Sequence, residues 1–162
     1  MQAYSFINTG IILAVASTLI WAAGTDIRHR RISNKLSLAI LALFAAFVAS
    51  QLMAGENWKS TLLWPLVAAT VVFIAGAALF AARLMGGGDV KLMAATALFA
   101  GPALSLSFIL YVTIAGGIVA LATLLYAKIK AADTATAKVP YGVAITIGGL
   151  WVCFQRFSTL SV

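Results

Sequence analysis

Met85-Gly86-Gly87-Gly88-Asp89-Val90-Lys91 sets three glycines, an acid and a base inside an otherwise apolar sequence. A carboxylate near a bilayer core costs about 3 kcal/mol on the lenient insertion scale, so an acid there is a functional-site hypothesis by default. Three consecutive glycines free the backbone from a helix and let other groups approach closely. Non-helical chain survives at membrane depth where protein surrounds it, so a loop presenting Asp89 is expected. A second acid, Asp26, stands in Thr25-Asp26-Ile27-Arg28-His29-Arg30-Arg31-Ile32-Ser33-Asn34. Asp26 and Asp89 together are the candidate active site.

The surroundings decide the class. Of the 162 residues, 63% are hydrophobic and 9% charged, and the mean hydropathy is +1.05, whereas a soluble domain is about 25% charged. The chain reads as one all-α, polytopic membrane domain over residues 1–162. Its net charge of +7 comes from 11 Lys+Arg against 4 Asp+Glu. In so apolar a chain this is a topology signal and an attraction to anionic membrane lipids rather than a nucleic-acid footprint. Cys153 alone permits no intrachain disulfide, and without paired CxxC motifs neither a structural metal site nor a cofactor is expected. The first apolar run has no Lys or Arg before it and a basic cluster after it. That is the reverse of a secretory signal, so it is expected to persist as a helix.

Six apolar segments can be drawn, at 7–24, 36–53, 62–84, 90–100, 102–127 and 139–157. Most approach the ~20 residues needed to cross a ~30 Å hydrocarbon core. With six crossings, Arg28, Arg30, Arg31, Lys35, Arg83, Lys91, Lys128, Lys130 and Lys138 share one side, leaving Lys59 and Arg156 on the other. The positive-inside rule makes the first side cytoplasmic. Both termini then face outward, and both acids lie toward the cytoplasm. Trp151 sits deeper and needs a packing partner. Gly76 with Ala77, Gly116 with Gly117 and Gly148 with Gly149 are small residues suited to close helix packing.

Segment 4 is short: its 11 residues at ~1.5 Å each cover only ~17 Å. Either the glycine loop dips into the membrane before Asp89, or the helix runs on past Gly101-Pro102. The dip is favoured, because Pro102 suits the first turn of a new helix.

Two carboxyls sharing one site do not both ionise, so one donates a proton while the other accepts one from water. Such a pair can activate water to attack a peptide carbonyl. The residues alone leave the plainer reading open. Asp89 precedes an apolar run as an ordinary N-cap does, and Asp26 could simply pair with Arg28 or Arg30.

The motifs resemble those of the type IV prepilin peptidases, membrane aspartyl proteases of the GxGD type, especially the short forms of tight-adherence (Flp) pilus systems. Gly86-Gly87-Gly88-Asp89 fits GxGD, with Lys91 at a lysine that often follows. Asp26, Arg30, Arg31, Ile32 and Asn34 fit the first-aspartate motif, with Ser33 where proline is usual. Val139-Pro140-Tyr141-Gly142 is similar to a third motif near the last helix. The resemblance implies catalysis by Asp26 and Asp89, with Gly86, Gly87, Gly88, Lys91, Arg30, Asn34, Pro140, Tyr141 and Gly142 shaping the site or binding substrate. It implies a pilin precursor as substrate and cleavage at the cytoplasmic face of a bacterial inner membrane. The pilus assembly machinery is an implied partner. The cysteine-bearing domain of the long forms has no counterpart in the sequence, so their N-methyltransferase activity is not expected.

Two other classes compete. In a proton-coupled transporter, Asp26 and Asp89 would relay protons, but both lie at one face and no convincing inverted repeat is present. In a non-enzymatic subunit of a secretion complex, neither acid would matter. His29 reads as a solvated bystander, Cys153 as apolar packing, and the stretch from Lys128 to Lys138 as a mobile linker.

Overall fold

The computed structural model describes residues 2–129 and 139–160. Helix α1 covers Gln2–His29, α2 Asn34–Met53, α3 Trp64–Ala81, α4 Gly87–Ile129 and α5 Tyr141–Leu160, with a short π-helical turn, Lys59–Leu63, leading into α3. No strand occurs among the described residues. Four stretches are long and apolar enough to cross a membrane: Tyr4–His29, Asn34–Met53, Lys59–Ala81 and Gly87–Ile129. Of the linker expected from Lys128 to Lys138, Lys128 and Ile129 belong to the end of α4, and 130–138 lie outside the described residues.

α4 is a hairpin. At Gly101 the backbone takes φ 59° and ψ −173°, a conformation essentially restricted to glycine, and Pro102 opens the second limb, where its missing N–H costs nothing. Thr96 Cγ2 lies 3.0 Å from where a Cβ on Gly149 would sit, and Val112 Cγ2 lies 2.7 Å from the corresponding point on Gly148. Residues 96 and 112 would stand ~24 Å apart along a straight helix. Their contact with adjacent glycines of α5 shows that limbs 87–100 and 102–129 fold back on each other. The break expected at Gly101-Pro102 is present. The first limb nonetheless begins at Gly87 rather than at 90, which lengthens it by ~4.5 Å.

Arg156 closes the hairpin. Its Nε donates to the Phe99 carbonyl at 2.7 Å and Nη2 reaches the Ala100 carbonyl at 3.5 Å. Carbonyls at a helix end have no partner within the helix, and a cation there opposes the negative end of the dipole. Arg156 was expected only as an orienting charge. It is instead partly buried, because α5 extends to Leu160 and carries it beside the break. Phe99, 1% exposed, packs edge-on against Phe44 at 5.4 Å and against Phe47 at 5.7 Å. Trp151 finds its partner in Tyr111, at 4.8 Å between ring centroids. Cys153 is buried. Of the glycines expected to pack, Gly76 meets Val90 and Met93, and Gly116 meets Ala144 and Tyr141. Gly117 departs from expectation, with nothing within 4 Å of a Cβ built on it.

The ends of the helices sort the charges. Gly142 of α5 bonds to Asp26 of α1, and Lys91 of α4 bonds to Asn34 of α2. One end of the bundle therefore gathers Arg28, Arg30, Arg31, Lys35 and Lys91. At the opposite end Gln51, Glu56, Ser60 and Arg156 surround a polar cavity of about 200 Å³.

Candidate active site

Asp26 is held by a helix other than its own. α1 runs on to His29, so Asp26 lies within its last turn, where the helix dipole disfavours a carboxylate. It is also buried, at 5% exposure. Compensation comes from α5, whose Gly142 N–H donates to Asp26 Oδ2 at 2.8 Å. The residue before that helix is Pro140, whose ring has no oxygen with which to cap the free N–H groups. Asp26 supplies the oxygen instead. The fit requires glycine, because a Cβ at position 142 would lie 2.8 Å from Oδ2 and 2.9 Å from Cβ of Asp26. Arg30 adds an attractive charge. Its own backbone sits at φ 51° and returns an N–H to the Asp26 carbonyl at 2.9 Å.

Asp89 is the third residue of α4, not the cap before it. Gly87 and Gly88 are helical, which corrects the expected loop. Gly86 is the cap: its carbonyl accepts the Val90 N–H at 3.1 Å. The Asp89 side chain turns back toward it, and the helix N-terminus favours a carboxylate there. None of the three glycines has positive φ, so their use lies in close approach. A Cβ on Gly86 would stand 2.7 Å from Asp89 Oδ2, one on Gly87 3.3 Å from the Phe80 ring, and one on Gly88 3.0 Å from the Ile32 carbonyl oxygen.

Ile32 joins the two halves. Its backbone meets Gly88, and its Cδ1 lies 2.9 Å from the Cβ position of Gly142, so the α1–α2 turn is wedged between the supports of both acids. Ile32 thus brings the Gly142 support of Asp26 and the Gly88 neighbour of Asp89 to one turn, with Asp26 buried and Asp89 half-buried. Lys91 Nζ donates to Asn34 Oδ1 at 3.1 Å. Ser33 caps α2 by accepting the Lys35 N–H at 3.3 Å, and His29 is exposed. All the residues expected at the site therefore lie at one end of the bundle. Ile32 and Phe80 were not singled out as supports, because nothing marks an apolar residue as a wedge until its neighbours are placed.

A groove of about 530 Å³ opens beside the site. Gly76 and Gly116 are among the small residues on its walls, and it reaches Met85 and Tyr141, the residues just before Gly86 and Gly142. Among the described residues no three His, Cys, Asp or Glu side chains gather at one place. The groups at hand are two carboxyls, a lysine and backbone N–H donors, a set able to move protons to and from water.

Residues 13–121 match the model of the type IV leader peptidase family. The matched stretch covers most of the chain, holds both Asp26 and Asp89, and shows that the protein belongs to that family. Comparison with the curated proteins and with the solved structures gives no match.

Proposed function

We propose that this member of the type IV leader peptidase family is an aspartic endopeptidase that removes the leader from Flp-type pilin precursors, with Asp26 and Asp89 as its dyad. The observation that supports the reading is that one residue, Ile32, packs against both Gly88, beside Asp89, and Gly142, which holds Asp26, with both acids inside the stretch that matches the family. The carboxyls share one proton. The ionised acid takes a proton from water, whose oxygen attacks the scissile carbonyl, and the protonated acid then gives its proton to the departing amine. The proposed reaction is cleavage alone, without methyl transfer.

The membrane arrangement belongs to the same proposal. Splitting α4 at Gly101 gives six crossings of the bacterial inner membrane, with both termini outside. The basic end, and the dyad with it, then faces the cytoplasm. The apolar part of the substrate lies in the groove that reaches Met85 and Tyr141, whose small residues allow a helix to approach closely. That helix unwinds at the dyad, since a hydrogen-bonded helix shields its carbonyl carbons.

Co-expression with a candidate prepilin tests the reading through loss of the leader. The expected result is processing by the wild type and none by an empty vector. An unprocessed precursor alongside proton-driven flux in proteoliposomes would replace the peptidase with a transporter.

A further inference from the structure

We propose that a second groove, between α2 and α3, is a binding site for an anionic glycerophospholipid, with the phosphate at Lys91 and an acyl chain along the helices. The groove has a volume of about 540 Å³, within the range of small-molecule sites, and its floor is the first limb of α4. Leu38, Leu41, Leu66, Phe73 and Leu98 make it apolar along its length. Its polar lining is Asn34, Ser37 and Lys91 at one end and Thr70, whose hydroxyl donates to the Leu66 carbonyl, and no acid lines it.

Two features of that end point to an anion. Lys91 is exposed and gives one hydrogen bond to Asn34, while an ammonium has three donors. Ser37 is 5% exposed, and its Oγ has no partner among the described residues. Thr18, Thr70 and Thr96 return their hydroxyls to the carbonyl four residues earlier. For Ser37 that carbonyl belongs to Ser33, where α2 is only beginning, and it accepts the Leu36 N–H at 3.0 Å.

A cation above an apolar trough complements an amphiphile carrying one negative head. Basic pockets between membrane helices take such headgroups from the anionic cytoplasmic leaflet. This step rests on the orientation proposed above. The substrate helix is assigned to the other groove, because that one reaches the neighbours of Gly86 and Gly142, whereas this one ends at Lys91 and Asn34.

The test is native mass spectrometry of the delipidated full-length protein, titrated with dioleoyl phosphatidylglycerol or dioleoyl phosphatidylcholine. The expected result is a roughly fivefold preference for the anionic lipid, the worth of one interfacial lysine. Lys91→Gln should abolish that preference, and Lys59→Gln at the opposite end should leave it unchanged. Leu41→Trp, which fills the trough without altering charge, should weaken both lipids, with helix content by circular dichroism confirming the fold. Equal binding of the two lipids by the wild type would overturn the proposal, as would an unchanged preference in Lys91→Gln. Displacement of the lipid by an apolar pilin helix, lost in Leu41→Trp, would give the groove to substrate instead. No arm uses cleavage, so failure here is distinct from failure of the peptidase reading.

Discussion

Asp26 caps a helix to which it does not belong: its Oδ2 accepts the N–H of Gly142, 116 residues further along the chain, at 2.8 Å. The same carboxyl thus ties α1 to α5 and is proposed as half of the dyad, so its structural and chemical roles need to be separated.

Asn caps helices about as well as Asp. Asp26→Asn should therefore keep the thermal midpoint of the detergent-solubilised protein near that of the wild type while slowing leader cleavage at least ~100-fold. Asp26→Ala should lose cleavage and also about 1 kcal/mol of stability. Equal destabilisation by both changes would show that the cap depends on the charge.

The three glycines before Asp89 should not be equivalent. A Cβ on Gly88 meets the backbone oxygen of Ile32 at 3.0 Å, whereas one on Gly87 meets the Phe80 ring at 3.3 Å. A ring can turn and a backbone carbonyl cannot move without shifting the α1–α2 turn. Gly88→Ala should slow cleavage roughly 100-fold, the scale of a ~1 Å misplacement, and Gly87→Ala far less, as measured by initial rates.

Arg156 holds the break in α4 by capping the end of the first limb. Arg156→Met should leave the Phe99 and Ala100 carbonyls short of a donor and cost about 2 kcal/mol, read as a lower thermal midpoint. Arg156→Lys should recover part of this, because an ammonium lacks the fork that reaches two carbonyls.

The proposed orientation predicts opposite accessibility for two basic positions. In whole cells a membrane-impermeant maleimide should label Lys59→Cys and not Lys35→Cys, and permeabilised cells should label both. Buried Cys153 should contribute little background.

Much of this could be read from the sequence because membrane helices announce themselves by apolar length, and because acids, glycines and prolines interrupt them conspicuously. The break at Gly101-Pro102 and the shared end of Asp26 and Asp89 were legible for that reason. Helix starts and ends were less so. The basic residues after Gly24 lower the hydropathy without ending the helix, so α1 carries on through Asp26. Glycine's poor helix propensity argued for a loop before Asp89, yet contact with Phe80 and Ile32 outweighs it and α4 starts at Gly87. Arg156 was counted only for orientation because hydropathy does not show that a neighbouring helix ends in need of donors. The cap that Asp26 lends to α5 is a contact between distant parts of the chain, with only the lack of a capping oxygen at Pro140 to hint at it.

The central claim is that Asp26 and Asp89 act as one unit on one water molecule. The most direct measurement is the initial rate of leader removal in nanodiscs by the wild type, Asp26→Asn, Asp89→Asn and the double variant. The expected result is a fall of at least ~100-fold for each single change and no further fall in the double, as for groups that work together. A single variant that cleaves at the wild-type rate, or a double variant that loses the product of the two single effects, would contradict it.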